Sequence, residues 1–338
     1  MRKVRIAQIG LNTYSHSVQI FNSLRKQSEL FEVVGICFPE NEKERLPHFV
    51  EMIDPFNEMT LQEILEDPTI EAVAVETDEI YLTKYALLAA QYGKQIHMEK
   101  PGGREPADFE GLIRQIKESG QVLHIGYMYR YNPLVQETLE QVRRGELGEI
   151  ISVEAQMNCL HNADTRQWLQ DLPGGMMFFL GCHLIDLILL FQGMPKRVLA
   201  LNKRSGVEGT TAEDFGMAVL EYERGVSFAK TSAVEYGGFL RRQLVVTGTK
   251  GSVEIKPLEC GLEGGMYSEK TECYESGWHI PGKTARSALY DRYDNMMAAF
   301  AAMVRGEKKN PFTPDYELEL YKTVMKACGV NNQSDFCE

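Results

Sequence analysis

The chain is predicted to be an α/β protein of two domains. Residues 1–128 would form a parallel sheet wrapped by helices, and residues 129–338 an α+β domain with a large, mostly antiparallel sheet. Three observations predict this. A length of 338 residues exceeds what one compact core organises. Up to about residue 126, short apolar runs alternate with amphipathic segments of helix length. Beyond about residue 130, strand-like stretches follow one another through short connections with glycine, as in Glu223-Arg224-Gly225 and residues 248–251.

Taken in order, residues 4–9 form an apolar run ending at Gly10, the first strand. Residues 18–30 carry Val18, Phe21 and Leu24 at helical spacing. Residues 31–38 are a second strand, 61–65 a short helix stopped before Pro68, and 72–75 a third strand. Residues 81–92 are a helix closed by Gly93, and 95–98 a fourth strand with Glu99-Lys100-Pro101 at its carboxyl end. A helix at 108–118 closed by Gly120 and a strand at 122–126 complete a Rossmann-type sheet. Right-handed βαβ crossovers then put ligands outside the carboxyl ends of the strands. Gly10, Thr77 and Lys100 all fall at such ends.

In the second domain, a helix at 133–144 and a turn at 145–148 precede strands at 150–157, 197–203, 215–222, 226–234, 240–247 and 252–255. An apolar helix at 181–191 interrupts them. Helices at 289–304 and 316–327 follow, and residues 331–338 have the character of a frayed tail. Phe215, Met217 and Val219 alternate with Gly216, Ala218 and Leu220, so both faces of that strand are apolar, as a sheet pairing with another copy requires.

The net charge of −12, without any basic run, argues against a nucleic-acid partner. Seven cysteines without a CxxC pair fit reduced thiols in the cytoplasm and give no zinc spacing. The N-terminus runs straight into a strand pattern and no apolar run is long enough to span a bilayer, so neither a signal peptide nor a membrane partner is expected.

The first turn, Gly10-Leu11-Asn12-Thr13-Tyr14-Ser15, stands where a dinucleotide fold has G-x-G-x-x-G. Only its first glycine remains. Asn12 tolerates a left-handed backbone, and Ser15 offers a hydroxyl or a helix cap. The second strand ends at Phe38, where such folds carry a carboxylate for the adenosine ribose; Phe38 either stacks under adenine or covers the sheet edge. Lys43 and Arg45 lie among Glu40, Glu42 and Glu44, so the choice between NAD and NADP stays open. At Glu99-Lys100-Pro101, a lysine at a strand end supplies the cation that a developing carbonyl needs, and Pro101 fixes the backbone that aims it. His97 and His124 fall inside strands and are read as structural.

These residues identify the chain as resembling the Gfo/Idh/MocA family, named for glucose–fructose oxidoreductase and inositol dehydrogenase. The E-K-P trio is its hallmark. Gly93-Lys94 resembles its A-x-x-x-G-K, residues 127–133 its domain-junction motif, Gly174-Gly175 through Asp186 its catalytic helix, and residues 248–252 its G-T-x-G turn. The resemblance covers residues 3–328. It implies an NAD- or NADP-dependent oxidoreductase moving hydride to or from a carbon of a sugar, sugar derivative or cyclitol, as a homodimer or homotetramer. Cofactor contacts would come from Gly10, Asn12, Ser15, Phe38, Thr77, Glu99, Lys100 and Pro101. Lys100 would orient the substrate hydroxyl and His183 would exchange its proton; an ordinary histidine pKa of ~6.5 suits that task. Arg130, Trp168 and Asp186 would meet substrate, with His161 and Asp164 as further candidates, although Trp168 equally suits core packing. Two positions depart from the pattern. Phe179 stands where the family has Asp four residues before the histidine, and Asp78 replaces Pro after Thr77. The losses at Asn12, Ser15, Phe38 and Phe179 keep a second reading open, a non-catalytic sensor of dinucleotide or sugar.

Overall fold

The computed structural model describes residues 2–330, so the tail expected at 331–338 lies outside the described residues. Residues 2–128 together with Tyr293–Leu318 form one compact unit; Tyr129–Arg292 with residues 319–330 form the other.

In the first unit, strands β1 (Val4–Ile9), β2 (Phe31–Cys37), β3 (Ala72–Val75), β4 (Gln95–Met98) and β5 (Leu123–Ile125) form a wholly parallel sheet in the order β2-β1-β3-β4-β5. The order reverses at β1, so a crevice opens at the carboxyl ends of β1 and β3. Ile9 pairs with Val75 and Val75 with Met98, which sets Gly10, Glu76 and Glu99 side by side at that edge. Two short helices not anticipated from sequence, Glu42–Arg45 and Pro47–Ile53, follow β2. Their apolar side packs Leu46, Phe49, Val50 and Ile53 with Leu11, Val18, Phe21 and Ile36.

The segment Tyr293–Leu318 was expected with the second domain, yet it packs with the first. The helix Asp294–Val304 explains this. Asp294 accepts from Ser23 Oγ at 2.7 Å and pairs with Lys26 at 2.6 Å, and Phe300 stacks on the His124 ring at 5.4 Å. A chain return of this kind leaves no mark on local periodicity.

In the second unit, β6 (Ile150–Asn158), β7 (Arg197–Ala200), β8 (Phe215–Glu221), β9 (Val226–Ser232), β10 (Gln243–Gly248), β11 (Ser252–Ile255), β12 (Cys260–Leu262), β13 (Gly265–Tyr267), β14 (Glu269–Cys273) and β15 (Lys283–Arg286) are the strands. Eight of them form one sheet in the order β15-β14-β11-β10-β6-β9-β8-β7, antiparallel except for the β6–β9 pair; β12 and β13 form a separate hairpin. The apolar helix Cys182–Gln192 lies on β6 and β9 and is buried almost throughout. On β8 the residues Gly216, Ala218 and Leu220 are buried while Phe215, Met217 and Val219 are half-buried. Among the described residues no helix is long and apolar enough to cross a membrane, and six cysteines are free thiols.

Candidate active site

In the first unit the candidate residues begin at Gly10. Its φ of 83° and its packing both require glycine: an added Cβ would lie 2.4 Å from Thr77 Cγ2 and 2.8 Å from Glu42 Oε1. The turn that follows is closed by side chains. Asn12, fully buried, accepts from the Tyr14 and Ser15 N–H groups at 2.8 Å each and donates Nδ2 to the Thr77 carbonyl at 2.8 Å. It is therefore a clamp in ordinary backbone geometry. The left-handed role considered from sequence does not hold, because Asn41 and Glu208 are the non-glycine residues with positive φ among those described. Asp78 caps the same turn, accepting from Thr13 N at 2.9 Å and Thr13 Oγ1 at 3.0 Å, while its other oxygen pairs with Arg45 at 2.9 Å.

Phe38 is half-buried against the cluster under β2 and meets Phe56 edge to face at 5.6 Å. A buried carboxylate lies four residues on. The Glu42–Arg45 helix returns buried Glu42 to the side of Gly10, and burial raises its pKa against the backbone N–H groups that hold it. Glu42 Oε1 and Thr77 Oγ1 are buried beside Gly10 without a hydrogen-bond partner. A close-packed glycine beside an unsatisfied carboxylate oxygen and a hydroxyl leaves polar capacity at the strand end where dinucleotide folds hold their cofactor. Lys43 and Arg45 are committed to Glu58 and Asp78.

At the next strand ends lies a buried ionic cluster. Lys100 and Glu99 are 2% exposed each, with Nζ 3.7 Å from Glu99 Oε1. Glu76 and Glu79 close the cluster, and both carboxyls are buried without a hydrogen-bond partner. Burial pushes Glu99 and Glu79 up to about 7, opposed by Lys100; it pushes Glu76 well above the carboxylate range, helped by Glu79. Three carboxyls around one ammonium cannot all ionise cheaply in a dry site. His97 faces Glu76 at 3.4 Å and shares a 2.8 Å Nδ1–Nδ1 hydrogen bond with His124. Burial, against Glu99, lowers His97 to about 4, so it stays neutral. The Lys100-Pro101 peptide is cis and Pro101 is buried. Lys94 of the Gly93-Lys94 pair works away from the site, donating to the Asp67 and Ile70 carbonyls at 2.6 and 2.8 Å.

In the second unit, Gly175 (φ 50°) packs where an added Cβ would lie 2.3 Å from the Glu213 carbonyl. The chain then enters the buried helix through a π-helical turn, Met177–Gly181, which holds Phe179; such turns gather at functional sites. Phe179 meets Trp168 edge to face at 5.1 Å. His183, 2% exposed, stands edge-on to the Tyr129 ring at 5.1 Å. Tyr129 is itself fixed: its hydroxyl bonds Glu259 and accepts from Arg242 at 3.1 Å and Arg292 at 3.2 Å. Burial alone would raise Glu259, but Arg292 and Arg242 hold it below the usual carboxylate range. The His183 ring is thus braced by a tyrosine that cannot swing.

Arg130 and Asp186, expected at the substrate, are instead committed to each other. Arg130 Nη2 meets Asp186 Oδ1 at 2.7 Å and Nε reaches both oxygens at 3.0 and 3.1 Å, with both side chains 1% exposed. A buried bidentate pair acts as a brace within the unit. The structure thus groups Gly10, Asn12, Ser15 and Thr77 at one turn, sets Glu99, Lys100 and Pro101 at the next strand end, and sets Phe38 aside in packing. Sequence reasoning missed Glu42, Glu76 and Glu79. Glu76 and Glu79 flank Thr77 and Asp78, so their position at a strand end was a usable signal.

Within the first unit, a close-packed Gly10 at the end of β1 and a buried lysine at the end of β4 mark the ligand edge of a dinucleotide fold. Comparison with known proteins agrees. Residues 4–127 match the model of the oxidoreductase family with an NAD-binding Rossmann fold, and residues 135–254 match the GFO/IDH/MocA C-terminal domain. The chain belongs to the Gfo/Idh/MocA family. It is 24% identical over 290 residues to trans-1,2-dihydrobenzene-1,2-diol dehydrogenase of Bos taurus, covering 81% of this chain and 82% of that one. It is 27% identical over 242 residues to the NADP(+)-dependent scyllo-inositol 2-dehydrogenase of Bacillus subtilis (strain 168), covering 70% and 64%. The aldose–aldose oxidoreductase of Caulobacter crescentus superposes with a TM-score of 0.75 at 19% identity, over 97% of this chain and 98% of that one. The protein is an NAD(P)-dependent oxidoreductase.

Proposed function

We propose that the substrate is a ring carrying a secondary alcohol, in a sugar, sugar derivative or cyclitol, and that hydride moves between its carbinol carbon and the dinucleotide. The observation that carries this is buried Lys100 at the end of β4 within a carboxyl cluster. The relatives named above act on a ring diol and on a cyclitol. When bound, the nicotinamide supplies the hydride donor or acceptor. Lys100 holds its ammonium toward the substrate oxygen and stabilises charge on it as the carbonyl forms or collapses. His183, with its ring braced by Tyr129, exchanges the hydroxyl proton. Phe179 makes the pocket more apolar than one lined by Asp. A non-catalytic sensor is not favoured, since the relatives are dehydrogenases by name.

The cofactor proposed is NAD. Glu42 would accept from the ribose hydroxyls and repel a 2′-phosphate, and the nearby cations are already paired. Calorimetry should give NAD a Kd at least about tenfold below that of NADP, a gap that Glu42→Gln narrows, since a charge-assisted bond is roughly twice as strong as a neutral one. Tighter binding of NADP would contradict the assignment.

Self-association is proposed through the second sheet. Leu199, Val219 and Phe228 lie in register on its half-exposed face. Light scattering at micromolar concentration should show a homodimer or homotetramer, and a monomer would contradict it.

A further inference from the structure

A second feature of the Tyr129–Arg292 unit is unused by the chemistry above. A pocket of about 470 Å³ is lined by His161, Arg166, Glu208 and Tyr236 with apolar neighbours, a size ordinary for small-molecule sites. Arg166 comes from the short helix Ala163–Trp168 and its side chain is 2% exposed. Nη1 donates to the His161 carbonyl at 2.8 Å, and Nη2 meets the carboxylate of Glu208. Nε is buried without a hydrogen bond, 3.8 Å from an Asp214 oxygen. Asp214 cannot complete that bond readily, because it is held by the Ser205 N–H at 2.8 Å and the Ser205 hydroxyl at 2.6 Å.

The partner on the pocket side is of a different kind. The Glu208 side chain is 61% exposed, and its backbone sits at φ 53° between Gly206 (φ 71°) and Gly209 (φ 73°). A non-glycine residue in that region is strained, and strain of this sort collects at ligand clamps and switch segments. Glu208 therefore presents a carboxylate to a buried guanidinium from a loop that can withdraw it. The remaining walls suit a sugar. Burial, then Arg242 and Arg166, lower the His161 pKa, and its Nε2 is buried without a partner, leaving a neutral ring nitrogen for a hydroxyl. Leu160, Val207 and Val234 offer apolar faces.

We propose that this pocket binds the carboxylate of an acidic sugar on Arg166, and that Glu208 holds the carboxylate's place in the free protein. The inference rests on the oxidoreductase reading only in naming the ligand a sugar. A carboxylate is favoured over a phosphate because, among the described residues, Arg166 is the one Lys or Arg lining the pocket and Asp214 stands beside it. A dianion would lack its second counter-charge.

The test is calorimetry on the full chain with D-glucuronate, D-gluconate, D-glucose and D-glucose 6-phosphate, using wild type and Glu208→Ala. Both acids should bind at least about tenfold tighter than glucose, as a bidentate charged pair adds affinity. Glu208→Ala should tighten the acids about tenfold by removing a tethered competitor and leave glucose unchanged. Equal binding of acids and glucose, weaker acid binding in Glu208→Ala, or a preference for the phosphate ester would each overturn the inference. Titrating NAD and NADP into the same samples separates the two readings. Acid binding with neither dinucleotide bound keeps the pocket and refutes the oxidoreductase reading, whereas dinucleotide binding without acid preference does the reverse.

Discussion

Lys100→Met is expected to lower kcat about 10³-fold while leaving the Kd for the dinucleotide within about threefold. The side chain is similar in length and loses only its charge and donors. In the cluster at the end of β4, Lys100 is the cation that opposes the burial of Glu76, Glu79 and Glu99. Its removal leaves three carboxyls with no counter-charge, and they would answer by holding their protons. Loss of kcat is therefore expected without gross unfolding. Lys100→Arg keeps the charge but changes reach and geometry, and should recover stability more than rate. The rate is read from the near-ultraviolet absorbance of the reduced nicotinamide. A kcat within tenfold of wild type would remove Lys100 from the chemistry.

The second large effect concerns Arg130 and Asp186. Asp186→Leu should cost about 3–5 kcal/mol in denaturant unfolding, because it strands a buried guanidinium. The double variant Arg130→Met with Asp186→Leu should recover most of that loss, since two apolar side chains of similar size fill the space without burying a lone charge. If Asp186→Leu instead left stability unchanged and raised KM, the residue would be a substrate contact, as its place in the catalytic-helix motif first suggested.

The contrast between these sites shows what periodicity carries. The parallel sheet was legible because each strand is a short apolar run and two of the crossover helices close at glycines, Gly93 and Gly120. Gly120, for example, closes the helix Pro106–Ser119 in left-handed geometry. The E-K-P trio was legible because its position at a strand end is a topological fact. Glu42 was not, because it lies beyond the end of β2, and only the turn into the helix Glu42–Arg45 sets its carboxylate beside Gly10. Strands β14 and β15 were missed for another reason. Their sequences, half-buried Glu269–Cys273 and exposed Lys283–Arg286, are polar, so they lack the apolar alternation that marks a half-buried strand. The Arg130–Asp186 pair is 56 residues apart in sequence and only the packed unit reveals it.

The central claim is that hydride passes between a ring carbon and the nicotinamide. It is tested most directly by incubating the protein with oxidised NAD and a panel of sugars, cyclitols and sugar acids deuterated at their carbinol carbons, then weighing the recovered cofactor by mass spectrometry. The expected result is reduced cofactor that has gained one deuterium with at least one member of the panel, and none with Lys100→Met. Bound cofactor that never gains deuterium from any member, with NADP in place of NAD giving the same result, would contradict the account.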